Sequence, residues 1–179
     1  MARLPYVPQD LAEPSEIVDA IRARRGGALL NLDRILLHSP PVAAGWNTMM
    51  GAIRKDLALS PKLRELAMCV VAVLNGAEYE WGHHAPLFVA AGGTESQLAA
   101  MRDPEAASRN TALFDAAERA ALALTVEMTR SVRVADATFD AVKAALPDPR
   151  LAFELVVTIA AYNMVSRVLV AVGVEPEGH

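Results

Sequence analysis

Three side chains able to transfer protons occur within one short stretch of the sequence: Glu65, Glu80 and His84. Glu80 and His84 are four residues apart, so on a helix they are neighbours on one face. His84 also begins an apolar stripe at helical spacing that continues through Leu87 and Phe88, which predicts that this face points inward. A carboxylate beside an imidazole orients the ring for general acid/base catalysis. These residues therefore predict proton-transfer chemistry.

A helical hairpin must position these residues. Ser60-Pro61 is a typical helix start and Asn75-Gly76 a typical helix end, and a second helix is predicted from Glu78 to Ala91. If the two helices are antiparallel, residues at equal distance from the turn lie side by side. Glu65 is then about one turn, or roughly 5 Å, from His84. We expect Glu65 to reach the same site.

Each of the three residues also has a purely structural interpretation. Glu80 could be a first-turn carboxylate favoured by the helix dipole, and His84 a core histidine bound to a carbonyl. Glu65 could be a solvated partner of Lys62 or Arg64.

The chain around the hairpin is predicted to be all helical. Hydrophobic residues make up 53% of it and aromatic residues only 5%, and the apolar residues are mostly those that favour helices. Residues 1–14 contain Pro5, Pro8 and Pro14 and are predicted to form an extended N-terminal arm. Helices are predicted at 15–24, 31–38, 41–56, 60–75, 78–91, 94–101, 110–130, 136–146 and 148–172. The expected architecture is a single all-α domain, 1–179, with a central antiparallel hairpin and a buried C-terminal helix.

Composition excludes several classes of protein. A net charge of −4, spread along 179 residues, argues against a nucleic-acid partner. Cys69 is the single cysteine, which excludes an intrachain disulfide and a cysteine-built zinc site. The longest continuous apolar run, residues 66–74, is too short for a membrane span, and no apolar leader follows the start of the chain. We expect a cytoplasmic protein without a membrane partner.

Three stretches flank the apolar run in a fixed order: Pro61-Lys-Leu-Arg-Glu65-Leu, Asn75-Gly-Ala-Glu-Tyr-Glu80-Trp-Gly-His-His84 and Ala90-Ala-Gly-Gly-Thr-Glu. They resemble the carboxymuconolactone decarboxylase family within the alkyl hydroperoxidase D-like superfamily. The resemblance implies a helical bundle of that fold that needs no cofactor and assembles as a homo-trimer or hexamer.

The same resemblance places the chain in the decarboxylase-like branch. The peroxidase branch carries a glutamate, a CxxC pair and a histidine, which fall by position on Glu65, Ala77, Glu80 and His84. Both redox cysteines are absent, so peroxidase activity is not expected. Cys69 lies within the apolar run of the preceding helix, where we expect a buried, inert thiol.

The predicted function is that of a lyase of the carboxymuconolactone decarboxylase type, acting on a small carboxylic acid or lactone. His84 is the predicted general acid/base, oriented by Glu80, with Glu65 as a second carboxyl that holds or relays a proton. The predicted substrate-binding residues are those nearest in the sequence. They are Tyr79 and Trp81 in the pocket wall, His83 as a donor to the developing oxyanion, and Arg64 as the cation for an anionic substrate.

Two other functions remain open at this point. The first is a non-catalytic, oligomeric protein that binds a small ligand in the same helical pocket. The second is a metal site built from Glu80, His83 and His84. Adjacent residues project about 100° apart on a helix, which disfavours a shared ion, so no metal is predicted.

Overall fold

Ten helices and no strand make up residues 2–178, which are the part of the chain described by the computed structural model. The all-α prediction is confirmed. The helices divide between two compact units, one formed by residues 2–57 with 171–178 and the other by residues 58–170.

The first unit contains α1 (Ser15–Arg25), α2 (Asn31–Leu36) and α3 (Pro40–Lys55). Residues 2–14 contain no helix and are bound to α1 and α2 by hydrogen bonds. The Arg34 guanidinium of α2 donates to the Val7 carbonyl at 2.7 Å, and the Arg22 guanidinium of α1 donates to the Gln9 carbonyl at 2.9 Å. The arm is therefore an ordered part of this unit.

The second unit contains the remaining helices: α4 (Pro61–Asn75), α5 (Glu78–Ala90), α6 (Glu95–Ala100), α7 (Pro104–Ala107), α8 (Ala116–Ser131), α9 (Asp136–Ala145) and α10 (Pro149–Val172), whose last turn belongs to the first unit. Its core is centred on α4, where every residue from Leu66 to Ala72 is buried. Helices α5 and α8 pack on α4 and cover that apolar run.

Helices α4 and α5 form the predicted hairpin. The Ser60 hydroxyl caps α4 by accepting a hydrogen bond from the Leu63 amide at 3.3 Å, and Pro61 occupies the first turn, where its missing N–H costs nothing. Gly76 ends the helix in the left-handed region at φ 64°, which glycine adopts without a steric penalty. The chain reverses there, and α5 begins only two residues later, at Glu78.

The predicted start of α8 at Asn110 is wrong. The helix begins at Ala116, because the Asp115 side chain accepts from the Glu118 amide at 2.8 Å and the Glu118 carboxylate accepts from the Asp115 amide at 3.0 Å. This reciprocal cap fixes the first turn. The short helix α7 was also absent from the prediction.

Helix α10 buries one face and exposes the other. Leu155, Ile159 and Tyr162 are fully buried, whereas Phe153 and Val170 are exposed. By length and composition α10 could cross a membrane, but half of its most apolar window is buried within the fold, as in the core helix of a globular protein. The prediction of no membrane partner considered only the run 66–74 and stays a prediction.

From the sequence, the segment of α3 from Trp46 to Ile53, with Met49 and Met50, is the predicted contact surface for a second copy of the chain. Trp46, Met50 and Ile53 are buried, so these side chains fill the core instead. Met49 is exposed. Assembly into a homo-trimer or hexamer stays a prediction.

Candidate functional site

A buried hydrogen bond joins the two helices of the hairpin at His84. The His84 Nδ1 atom lies 2.6 Å from Oε2 of Glu65, and the two side chains are 2% and 12% exposed. The predicted approach of Glu65 to His84 is confirmed. The alternative in which Glu65 is a solvated partner of Lys62 or Arg64 is wrong, since Glu65 is largely buried and binds His84, and the Lys62 ammonium binds the Glu118 carboxylate at 2.6 Å instead.

This hydrogen bond assigns different tasks to the two nitrogens of the imidazole. An ionised Glu65 carboxylate accepts a hydrogen bond and donates none, so Nδ1 of His84 carries the proton between them. Nε2 is then the second nitrogen of the ring, at which an imidazole can take up or give a proton. A negative charge beside Nδ1 also stabilises the imidazolium that forms when Nε2 accepts a proton.

Glu80 lies on the same buried face of α5 as His84. Both side chains are almost completely buried, which confirms the inward orientation predicted from their spacing. A direct hydrogen bond between Glu80 and His84 stays a prediction.

Cys69 is buried in α4, one turn beyond Glu65. Burial raises the pKa of its thiol far above the ordinary value, and the negative charges of Glu65 and Glu80 raise it further, against a smaller opposing effect of Arg102. Its charge environment includes both carboxylates, so the thiol lies beside the candidate site and stays protonated there. The predicted inert thiol is supported by this environment.

Tyr162 of α10 supports the imidazole from a distant part of the chain. Its ring is fully buried and meets the His84 ring edge-on, with centroids 4.9 Å apart and an interplanar angle of 87°. Aromatic rings favour this edge-to-face arrangement. Sequence reasoning missed Tyr162 as a site residue, although an aromatic hydroxyl inside a nearly continuous apolar segment was a usable signal.

Tyr79 and His83 pair with each other, as their spacing predicts. Their rings stack with centroids 4.4 Å apart, and the His83 Nδ1–H donates to the Tyr79 carbonyl at 2.8 Å. The two adjacent histidines therefore bind different partners. In the described part of the chain, no group of three or more His, Cys, Asp or Glu side chains is placed to hold a metal ion.

Trp81 is half-buried and lines a cavity of about 610 Å³. The Arg102 guanidinium stacks on the indole, with its central carbon 3.7 Å from the ring centroid, and also lines the cavity. Sequence reasoning missed Arg102, because the turn after α6 carries no motif that indicates a ligand. Glu65, Glu80 and His84 do not line this cavity.

Arg64 and Leu87 differ from their expected environments. Arg64, the predicted cation for the substrate, is only 8% exposed, and within residues 2–178 no hydrogen-bond acceptor contacts its Nε. Its proposed contact with substrate stays a prediction. Leu87 was placed on the inward stripe but is exposed, since the buried face of α5 follows Glu80, His84 and Phe88.

Residues 40–127 match the model of the carboxymuconolactone decarboxylase family. No curated protein matches the chain in sequence.

Solved structures with the same helical fold include two peroxidase-related proteins and a debrominase. An uncharacterized peroxidase-related protein from Silicibacter sp. TM1040 is 18% identical, with a TM-score of 0.82 over 99% of this chain and 92% of that chain. An uncharacterized peroxidase-related protein from Ralstonia eutropha JMP134, described as an alkylhydroperoxidase AhpD core, is 20% identical. Its TM-score is 0.80 over 98% of this chain and 92% of that chain. The debrominase Bmp8, solved in complex with 2,3,4-tribromopyrrole, is 17% identical, with a TM-score of 0.80 over 99% and 95%. The predicted AhpD-like fold is confirmed.

Proposed function

We propose that the chain is a member of the carboxymuconolactone decarboxylase family, whose model matches residues 40–127, and that it is a cofactor-free proton-transfer enzyme. Its proposed substrate is a small carbonyl or lactone acid, and its proposed reaction is a decarboxylation of the carboxymuconolactone decarboxylase type. The observation that carries this proposal is the 2.6 Å contact between the largely buried side chains of Glu65 and His84.

In the proposed reaction the bond from the substrate to its carboxylate breaks, and CO2 leaves. The electron pair of that bond passes into the adjacent carbonyl system as an enolate or dienolate. The Nε2–H of His84 then donates a proton to the carbanionic carbon, and solvent restores the proton on Nε2. Glu65 holds the ring through Nδ1 during both transfers.

The remaining predicted residues have subsidiary roles in this proposal. Glu80 lies on the face of His84 and maintains the negative environment that favours an imidazolium. Tyr79 is the proposed wall residue beside His84, and His83 is the proposed donor to the oxyanion. Trp81, which was predicted for the same wall, lines a cavity to which His84 does not contribute. Arg64 is the proposed counter-ion of the substrate carboxylate.

Peroxidase chemistry is not part of the proposal. The single cysteine is buried, and its thiol has a pKa raised by burial and by neighbouring carboxylates, which disfavours the thiolate that thiol-based peroxide reduction requires. The debrominase activity of Bmp8 is not proposed for this chain.

The test is a panel of γ-lactone acids and β-keto acids, with CO2 release and loss of absorbance as the two readouts. We expect one substrate class to turn over in the wild type. His84→Ala should lower kcat by about 10²–10⁴-fold, because a general acid/base typically contributes that much. Glu80→Gln should cost less, because it alters the environment of the imidazole and leaves the proton carrier in place.

His38→Gln is the matched control, because His38 is an exposed imidazole outside the site, and its substitution leaves the contact between Glu65 and His84 intact. Its kcat should equal that of the wild type, because His38 has no role in the proposed reaction. Wild-type turnover by His84→Ala would place the chemistry elsewhere in the molecule.

A non-catalytic protein that binds a small ligand is the second candidate, and the cavity of about 610 Å³ beside Trp81 favours it. Pockets of this size suit small organic ligands. Saturable ligand binding without turnover of any member of the panel would support this candidate.

A further inference from the structure

The cavity beside α5 has the composition of a site for a small amphipathic anion. Its walls are mostly apolar and come from two helices; they are formed by Ala85, Pro86, Val89, Leu98 and Ala99. One aromatic ring, Trp81, and one cation, Arg102, complete most of the remaining wall. Binding sites for small molecules typically combine such an apolar lining with a few oriented polar groups.

Arg102 is held in place by its contacts. Its guanidinium stacks on the Trp81 ring at 3.7 Å from the centroid, and its Nη1 lies 3.2 Å from Oε1 of Glu78. Stacking on the indole orients the guanidinium plane, which can then donate two parallel hydrogen bonds to a carboxylate. The cation is therefore already positioned for an anion that enters the cavity.

Glu78 is a weak competitor for this cation. The Arg102 side chain is 46% exposed and the Glu78 side chain 71% exposed, and ion pairs between exposed groups are screened by water. A carboxylate entering from the cavity can displace Glu78, and Glu78 then returns to solvent.

A second acidic residue restricts the ligand to one negative charge. The Glu95 carboxylate begins α6 and also lines the cavity. A ligand with carboxylates at both ends brings its second charge toward this acidic wall, where like charges repel. The lining therefore favours a monocarboxylate over a dicarboxylate.

We propose that the cavity lined by Trp81, Arg102 and Leu98 binds a small monocarboxylate with a flat, unsaturated body. The carboxylate pairs with the Arg102 guanidinium, and the body lies along Trp81 and the apolar wall. This binding does not require turnover at His84, which does not line the cavity.

Benzoate is the probe, with benzamide as its uncharged counterpart and acetate as the charge without the ring. Dissociation constants are measured by two-dimensional NMR of the full chain, which has two tryptophans and so two indole N–H signals. Trp81→Phe assigns them. We expect the Trp81 signal to shift on titration while the Trp46 signal stays in place.

We expect benzoate to bind about tenfold or more tightly than benzamide, the gain typical of a charge-assisted hydrogen bond. Acetate should bind weakly, because it lacks the body that the apolar wall accommodates. Terephthalate, which carries a second carboxylate, should bind less tightly than benzoate.

Two variants should change the affinity in opposite directions. Arg102→Gln should remove the preference for benzoate over benzamide, whereas Glu78→Gln should tighten benzoate binding by releasing Arg102. Arg109→Gln removes the same charge from an exposed arginine outside the cavity and should change nothing. Opposite effects of two exposed substitutions cannot result from a general loss of folding.

Equal affinity for benzoate and benzamide, or an unchanged benzoate affinity in Arg102→Gln, would overturn the site. Failure of the decarboxylation assay together with the expected binding pattern would instead overturn the proposed reaction and leave this site in place. Turnover of a substrate without this binding pattern would overturn the site and leave the proposed reaction in place.

Discussion

Oε2 of Glu65 lies 2.6 Å from Nδ1 of His84, although the two residues belong to different helices. The contact crosses the α4–α5 hairpin close to its buried centre. We propose that Glu65 positions the imidazole for the reaction, and kinetic measurements can distinguish this role from a purely structural one.

For Glu65→Gln we expect a lower kcat, by about 10–10²-fold, with an unchanged KM, because loss of the charge weakens support for the imidazolium without removing a substrate contact. The double variant with His84→Ala should be no slower than His84→Ala alone, since residues that act as a unit are not additive. Steady-state kinetics of the three variants test this. Fully additive losses would separate Glu65 from His84.

Cys69 predicts a loss of stability at alkaline pH. Its folded pKa is raised above the ordinary value of 9.0, so above that pH the unfolded chain releases the thiol proton while the folded chain retains it. The folded state then binds more protons, and the free energy of unfolding falls by about 1.4 kcal/mol per pH unit from this group. Urea unfolding from pH 7 to pH 10 measures the slope.

Cys69→Ala is the comparison for that measurement. The substitution lowers stability at every pH by leaving a small void, but it should make the alkaline slope shallower. An identical slope in the wild type and in Cys69→Ala would contradict the prediction. In the folded wild type at pH 8, alkylation of the thiol by iodoacetamide should also be slow.

Glu154 predicts the opposite dependence, at acid pH. Burial opposes ionisation of this carboxylate, but the amides of Leu59 and Ala58 and the Arg150 guanidinium outweigh burial and hold its pKa below the ordinary value. Its contribution is complete above about pH 4.5, the ordinary value, and is lost as the pH falls through the lower folded pKa.

Glu154→Gln should therefore cost about 1.5–3 kcal/mol near pH 7, the range for hydrogen bonds to a charged group, and progressively less below pH 4. Denaturant unfolding at several pH values measures the difference between the two proteins. Asp19→Asn is the control, because it removes an exposed carboxylate of α1. The stability difference between this variant and the wild type should not shrink at acid pH. A cost that is constant with pH would mean that Glu154 acts only through packing.

Gly93 follows α5 and lies directly against the ring of Phe88. A methyl group at this position would overlap the ring of Phe88, which is fully buried on the face that carries His84. Gly93→Ala should destabilise the fold by about 1–3 kcal/mol, the usual cost of overpacking. Gly45→Ala is the matched control, because nothing lies within 4 Å of the added methyl group, and thermal unfolding should show equal or higher stability.

Assembly is tested by light scattering on dilute protein. We expect a mass that is three or six times the 19.1 kDa of one chain, as the family resemblance implies. A stable monomer would contradict the prediction.

Most of the helices and the central contact of the site could be predicted from local features of the sequence. Ser60-Pro61 and Asn75-Gly76 determine where α4 begins and ends, because caps and prolines act on the nearest backbone groups. The short turn then brings Glu65 and His84 together. The burial of Cys69 follows from an apolar run that has no solvent-facing side.

The start of α8 could not be predicted from periodicity. Leu113 continues the apolar spacing of the helix backwards, but the reciprocal cap of Asp115 and Glu118 begins the helix at Ala116. Apolar spacing shows which face of a helix is buried, whereas the hydrogen bonds of the first turn determine the residue at which the helix begins.

Only the tertiary structure determines that Tyr162 and Arg102 lie beside the aromatic rings of α5. Tyr162 reaches His84 from α10, and Arg102 reaches Trp81 from the turn after α6. Caps, turns and helical spacing act over a few residues or across one short loop, so they determine the helices and the α4–α5 hairpin. Contacts between distant segments depend on how complete helices pack, and no local pattern in the chain specifies that packing.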